Sequence, residues 1–338
     1  MIQKQVSLKP YNTFGFDVVA KYFTTVFHVS DLIKLYQNEE MKAERKLILG
    51  GGSNLLLLND WDGLVIKNGI LGIEKTFEDQ NEVVLKVGGG VVWHQLVMHT
   101  VGLNLGGIEN LSLIPGTTGA APMQNIGAYG VEIKDVFVSL EALNIETLET
   151  EIFYLNDCKF GYRESVFKHE GKGKYFILNV SFRFQKNPEF KTSYGAIQDT
   201  LTESGVTELS VKAISEAVIA IRKSKLPDPA EIGNSGSFFK NPEIPTAQYN
   251  KIALEYPAMP NYPISEGVVK IPAGWLIEQA GWKGKRFGEV GVHDKQALVL
   301  VNYGKGKGIE IKQLAEKVQA SVFEKFGIEI MPEVNFVS

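Results

Sequence analysis

Hydrophobic residues recur along this chain in two rhythms. Val211, Ile214, Val218 and Ile221 repeat at helical spacing and predict an amphipathic helix over Val211–Ser224, which must stop before Pro227. Ile311, Leu314, Ala315, Val318 and Val322 repeat in the same way and predict a helix that ends near Gly327. Leu32, Leu35 and Tyr36 give the inward face of a helix from Asp31 to about Asn38, with Ser30 as its cap. Val91–Val101 reads as a helix stopped by Gly102 at the C′ position. Short apolar runs predict strands at Leu47–Leu49, Leu55–Leu58 and Val83–Val87, within Val136–Phe153, over Tyr175–Phe184, and at Glu329–Phe336. Strands and helices mix without a strict βαβ alternation, which predicts an α+β fold.

Several of these strands end in glycine: Leu47–Leu49 in Gly50-Gly51-Gly52-Ser53-Asn54, and Val83–Val87 in Gly88-Gly89-Gly90. From Val87 to Val131 the only Asp, Glu, Lys or Arg is Glu109, in a chain that is 22% charged, and ten of those residues are glycine. Pro115, Pro122 and several amides interrupt every apolar run there, so a transmembrane span is not predicted. A backbone-lined interior is the better reading. Glycine permits positive φ and close backbone approach, and backbone N–H groups left without a ladder partner bind anions such as a pyrophosphate. A tight turn explains any one cluster alone; three within about 80 residues point to a shared ligand. Neither a G-x-G-x-x-G opening a helix nor a G-x-x-x-x-G-K-[ST] is present, which argues against an ordinary Rossmann or P-loop site.

Composition narrows the class. At 338 residues, the chain is long enough for two or three domains. Thirty-five basic and 39 acidic residues leave a net charge of −4, so nothing advertises nucleic acid or an anionic membrane. The single cysteine, Cys158, excludes an intrachain disulfide and a thiolate metal cluster. The five histidines show no metal-ligand spacing; His94 and His99 read as packing or solvent residues, and no metal is expected. The N-terminus lacks an apolar h-region, so the expectation is a cytoplasmic protein without a signal peptide. Turn-rich Asn59–Leu71 and the stiff linker Lys225-Leu226-Pro227-Asp228-Pro229 mark boundaries.

Beyond the linker, Asn234-Ser235-Gly236-Ser237-Phe238-Phe239-Lys240-Asn241-Pro242 crowds hydroxyls, amides, a lysine and two aromatics together, with Arg222 and Lys225 upstream. It reads either as a capped turn anchored by the Phe pair or as a pocket for a phosphorylated ligand. Arg163 follows a probable strand beside Glu164, and Glu333 lies in the last strand. Taken alone, each is an ordinary surface charge. There is no G-x-S-x-G elbow of a serine hydrolase.

Taken in order, Asn12-Thr13-Phe14-Gly15, Gly50–Asn54, Ile114-Pro115-Gly116-Thr117-Thr118-Gly119, Gln124-Asn125-Ile126-Gly127-Ala128-Tyr129-Gly130, Gly161-Tyr162-Arg163, Asn234–Pro242 and Pro332-Glu333-Val334 resemble the UDP-N-acetylenolpyruvoylglucosamine reductase family, in its longer type I form, from about residue 8 to 336. The resemblance implies an FAD-binding fold of the UDP-N-acetylmuramate dehydrogenase or PCMH type plus a C-terminal substrate domain. It implies three domains: residues 1–71 with 327–338, residues 72–226, and residues 227–326. FAD would be held by Gly50, Gly51, Gly52, Ser53, Asn54, Pro115, Gly116, Thr117, Thr118, Gly119, Asn125, Gly127, Ala128 and Tyr129. NADPH would reduce the flavin, whose N5 would pass hydride to the vinyl carbon of UDP-N-acetylglucosamine enolpyruvate, giving UDP-N-acetylmuramate for peptidoglycan.

By position, Arg163 and Glu333 match the pair that stabilises the enolate, and Ser237 matches the proton donor. For Glu333 to donate a hydrogen bond it must be protonated. Tyr194, Arg222, Lys225, Asn241 and Gln296 match substrate positions, with Tyr194 able to close over the UDP-sugar. The implied partners are small molecules only, acting on a monomer. The chain departs from the family pattern at Ala120-Ala121, at Ser235 and at Asn335. Other readings are a different flavoenzyme on the same fold, or a colourless protein that only binds a UDP-sugar or nucleotide.

Overall fold

The computed structural model describes residues 1–194 and 196–338. The chain divides into two compact units. The first comprises Met1–Val6, Ala20–Gly52 and Trp61–Ser224; the second comprises Ser7–Val19, Ser53–Asp60 and Lys225–Ser338.

Two large sheets build the first unit. One has the order Gln3–Ser7, Val19–Val26, Trp61–Asn68, Lys46–Leu49, and its last three strands run parallel. Leu64, Val65 and Ile66 are fully buried in its central strand, as expected where both faces of a parallel sheet are covered. The other sheet is antiparallel, in the order Thr150–Tyr154, Phe137–Asn144, Tyr175–Gln185, Glu82–Gly88, Ile73–Glu78. Helix Trp93–Gly102 buries Trp93, Leu96 and Val97 in the same core as Val87, Phe182 and Phe184. Helix Val211–Lys225 buries Val211, Ile214, Val218 and Ile221, the four positions that its periodicity predicts.

The second unit is built on a sheet in the order Gly233–Ser237, Val299–Asn302, Val290–Val292, Arg286–Phe287. Helix Gly308–Phe326 buries Ile311, Leu314, Ala315, Val318 and Val322 in the core around Phe238 and Phe239. It starts with a capping box, in which Glu310 accepts from the Lys307 N–H at 2.7 Å, and it ends at Gly327 with φ +63°. The chain's last strand, Asn335–Val337, runs parallel to Leu55–Leu57.

Four local expectations need correction. Asn59–Leu71 is not a run of turns, because Trp61–Asn68 within it is the buried central strand of the parallel sheet. The first helix is Val29–Gln37, with extended His28 before it, so Ser30 lies inside the first turn and caps nothing. Gly102 is the last helical residue rather than C′, and Leu103 takes up the closing bonds. Of the predicted Glu329–Phe336 strand only Asn335 and Phe336 are strand, within Asn335–Val337, and Pro332 makes an isolated bridge. Among the described residues, no helix is long and apolar enough to cross a membrane. None of their His, Cys, Asp and Glu side chains group to hold a metal. Cys158 is fully buried, and burial pushes its thiol up to about 12.

Candidate functional site

In the first unit the three glycine clusters meet. A Cβ on Gly51 would lie 2.7 Å from the Gly116 Cα, one on Gly50 would lie 2.6 Å from the Thr117 Oγ1, and one on Gly119 would lie 3.0 Å from the Gly89 Cα. Gly51 and Gly119 are therefore required for backbone to approach backbone, the close approach that glycine permits. Gly116 adds φ +116°. The Thr117 hydroxyl is buried in this cradle without a hydrogen-bond partner among the described residues, and such a group calls for an acceptor. Pro115, Gly116, Thr117, Thr118 and Gly119 thus lie with Gly50, Gly51 and Gly52 at one place.

The short helix Thr118–Gln124, which buries Ala121, leads from the cradle to a second group of residues in the same unit. Asn125 is fully buried at φ +44°; its Nδ2 donates to Glu132 Oε2 at 3.0 Å and to the Gly161 carbonyl at 3.1 Å, and its Oδ1 accepts from the Lys134 N–H at 3.1 Å. Its side chain is thus occupied by the protein, and only its backbone faces elsewhere. Arg163, at φ +56°, donates from Nη2 to the Gly127 carbonyl at 2.8 Å, and Gly127-Ala128 forms a short strand closed by Tyr129 at φ +50°. Three non-glycine residues in left-handed backbone so close together mark a site held under local strain.

Tyr129 interacts with the Arg222 side chain, and its ring lies 6.5 Å from the half-exposed Tyr194 ring, edge to face. Burial, together with the like charge of Arg163, pulls the Arg222 guanidinium below its usual value, while Tyr129 opposes that shift; the Tyr129 phenol is raised, chiefly by burial. The Arg222 Nε is buried without a hydrogen-bond partner among the described residues. Two guanidiniums and two phenols at one place favour an anionic ligand with aromatic or sugar surface. Gly195, the residue after Tyr194, lies outside the described residues.

Asn110 is the residue that sequence reasoning missed here. Its Nδ2 donates to the Tyr129 carbonyl at 3.0 Å and to the Lys191 carbonyl at 2.8 Å, which ties the Tyr129 turn to the segment leading to Tyr194. No local pattern signals it, because its partners are 19 and 81 residues away.

In the second unit the serine-rich motif is strand Gly233–Ser237, with a bulge at Gly236 (φ +70°) between Asn234, opposite Val301, and Ser237, opposite Val299. Asn234 sets the bulge: it accepts from the Gly236 N–H at 2.9 Å and donates to the carbonyls of Ile232 at 2.8 Å and Pro227 at 3.2 Å. Buried Phe238 and Phe239 anchor the chain beyond it, with ring centroids 5.1 Å apart. Ser237 is exposed, whereas the Ser235 Oγ is buried without a partner among the described residues. The Asn12–Gly15 motif serves this strand: the Thr13 carbonyl accepts from the Asn234 N–H at 3.0 Å, and a Cβ on Gly233 would lie 2.1 Å from the Phe14 carbonyl oxygen.

Glu333 comes beside this strand through the backbone. Its N–H donates to the Phe238 carbonyl at 2.8 Å, and the Lys240 N–H donates to the Met331 carbonyl at 2.9 Å. The residue next to Ser237 is thus hydrogen-bonded to Glu333, far away in sequence. Asn54 donates to the Glu333 carbonyl at 3.4 Å, and Asn335 binds the Asn54 carbonyl through its N–H and its side chain, at 3.1 and 3.2 Å. Ser53 lies in the turn before Leu55–Leu57. Asn241 and Gln296 meet at one helix start: the Asn241 Oδ1 accepts from the Ala273 N–H at 2.9 Å, and a Cβ on Gly274 would lie 3.1 Å from the Gln296 Oε1. Lys225 is exposed at the end of helix Val211–Lys225.

Comparison with known proteins agrees along the whole chain. A family model described as FAD binding domain matches residues 20–147, and one described as UDP-N-acetylenolpyruvoylglucosamine reductase, C-terminal domain, matches residues 228–337. The UDP-N-acetylenolpyruvoylglucosamine reductase of Flavobacterium johnsoniae is 52% identical, covering 99% of each chain; that of Amoebophilus asiaticus is 50% identical, again over 99% of each. The crystal structure of the enzyme of that name from Thermus caldophilus aligns over 100% of both chains with a TM-score of 0.69 at 22% identity, which shows a shared fold. With half its residues identical to those of full-length relatives, and with both family models in register, the chain belongs to the UDP-N-acetylenolpyruvoylglucosamine reductase family.

Proposed function

We propose that this chain reduces UDP-N-acetylglucosamine enolpyruvate to UDP-N-acetylmuramate as an FAD-dependent oxidoreductase, with NADPH as the electron source. The glycine cradle fits FAD: its backbones are packed too closely for side chains, it carries the unpartnered Thr117 hydroxyl, and Gly50–Gly52 and Pro115–Gly119 line it. Bound FAD supplies the hydride that the vinyl carbon receives.

The chain's own residues then handle charge and proton. Negative charge develops on the carbon next to the substrate carboxylate and spreads into it as an enolate. In this reading Arg163 and Glu333 stabilise that charge as donors already fixed in place, Arg163 by the Gly127 carbonyl and the Glu333 backbone by the Phe238 carbonyl. A protonated Glu333 donates a hydrogen bond rather than adding a second negative charge. Ser237 delivers a proton to the carbanionic carbon; a hydroxyl suffices because an enolate carbon is strongly basic and the donor is held beside it. Arg222, Lys225, Asn241, Gln296 and Tyr194 bind the UDP-sugar.

The observation that carries the reading is the backbone bond between Phe238 and Glu333, which holds the Glu333 backbone beside the residue that follows Ser237. Its test is Ser237→Ala in single turnover. NADPH should reduce the flavin at the parent rate, while reoxidation by the enolpyruvyl substrate slows by roughly 10²–10⁴-fold. Reoxidation at the parent rate would remove Ser237 from the role of proton donor.

A further inference from the structure

The loop that ends in Pro115-Gly116-Thr117 is fastened to the start of helix Trp93–Gly102. The Trp93 Nε1 donates to the Leu111 carbonyl at 3.1 Å, and the Trp93 N–H donates to the Gly116 carbonyl at 3.0 Å. The Thr118 N–H and hydroxyl both donate to the Val91 carbonyl, at 2.8 and 3.1 Å. Between these ties, the Leu113 N–H donates to the His94 Nδ1 at 3.0 Å. The acceptors in this set are carbonyls, except for one imidazole. That imidazole holds the residue least suited to its conformation, since Leu113 sits at φ +60°, a region costly for a side chain with a Cβ.

An Nδ1 that accepts a hydrogen bond must carry a lone pair, so His94 is the neutral tautomer with its proton on Nε2. Protonation puts a hydrogen on Nδ1, and a donor then faces a donor. It also adds positive charge near Arg222 and Lys223 of helix Val211–Lys225, whose charges already oppose it, as the charge of Arg163 opposes that of Arg222. The loop's own carboxylate, Glu109, is turned away, accepting from the Gly107 N–H at 2.6 Å.

We propose that His94 is a positioning residue for the cofactor: as a neutral imidazole it latches Leu113 and so sets the course of Pro115-Gly116-Thr117, and its protonation releases the loop and weakens flavin binding. The cofactor half of this inference rests on reading the glycine cradle as the FAD site. Burial first, and the charges of Arg222 and Lys223 next, hold the His94 pKa below its ordinary 6.5. A folded state that keeps its histidine neutral gains nothing from that preference above the ordinary value. It loses stability as pH falls below about 6.5, where the released or unfolded state takes up the proton. The latch is therefore closed at neutral pH and opens in acid.

Two measurements on the purified holoenzyme test this. The first is hydrogen exchange at the Leu113 amide. At pH 7.5 exchange should be slow in the parent and at least about tenfold faster in His94→Leu, the loss of one hydrogen bond, while Thr118 stays protected. The second is the FAD dissociation constant, read from flavin fluorescence at pH 7.5 and pH 5.5. It should rise about tenfold in acid for the parent, but by less than about twofold for His94→Asn, whose Oδ1 replaces the acceptor and does not titrate. A merely structural histidine would leave the parent and His94→Asn with the same pH profile, and that result overturns the proposal. So does a Leu113 amide in His94→Leu that exchanges as slowly as in the parent. If His94→Leu does not fold, the comparison of parent with His94→Asn decides. A chain that purifies without flavin and takes up none defeats the cofactor reading instead, while the exchange arm still decides whether the latch exists.

Discussion

In the first unit the candidate residues sit on loops, and side chains hold those loops in place: Asn125 reaches Glu132, Gly161 and Lys134, Asn110 reaches Tyr129 and Lys191, and Arg163 reaches Gly127. Backbone strain accompanies them at Leu113, Asn125, Tyr129 and Arg163. In the second unit the candidates Ser237 and Glu333 sit on paired backbone, and main-chain bonds from Phe238 and Lys240 set their spacing. The two arrangements answer different needs. In the proposed function the first unit's loops are a cofactor cradle, which must present backbone to a large ligand, so it cannot spend that backbone on a ladder and recruits buried amides as clamps. In the proposed function Ser237 and Glu333 act on one small group and need only fixed spacing, which paired backbone supplies at little sequence cost.

If that contrast is right, single substitutions should cost more in the first unit than in the second. Gly51→Ala is expected to be the most damaging, because its Cβ would meet backbone, the Gly116 Cα, with no flexible side chain to give way. A loss of about 3 kcal/mol, seen as a lower thermal midpoint and as flavin lost on gel filtration, is the expected result. Asn125→Ala comes next, at about 2 kcal/mol, since it removes three hydrogen bonds that tie a fully buried amide to two segments. In the second unit Asn241→Ala removes one bond to the Ala273 N–H at a helix start, and urea unfolding should show a loss of only about 1 kcal/mol. An Asn241 variant less stable than the Asn125 variant would break the contrast.

The sequence carried the two regions unequally as well. Glycine after a strand is a local signal, so the clusters at Gly50, Gly88 and Gly116 could be read before any contact was known, and the helices at Val211 and Ile311 followed from spacing alone. The clamps could not be read. Asn110, Asn125 and His94 act on partners that only the fold brings near, and His94 reads along the chain as a packing residue on an apolar helix. Ser30 misled because a serine before an apolar run resembles a cap, while the helix had already begun at Val29 after extended His28. Glu329–Phe336 looked like one strand because apolar residues alternate there, yet only Asn335–Val337 finds a parallel partner, at Leu55–Leu57. The partnership of Ser237 and Glu333 came from resemblance, since neither residue alone departs from an ordinary surface group.

The central claim is tested most directly by the visible spectrum of the purified protein during an anaerobic titration. The account expects a yellow protein that bleaches on addition of NADPH and regains its colour when UDP-N-acetylglucosamine enolpyruvate is added. A flavin that bleaches and stays bleached would contradict the substrate and point to another flavoenzyme reaction. A protein that remains colourless after incubation with FAD would contradict the oxidoreductase reading altogether.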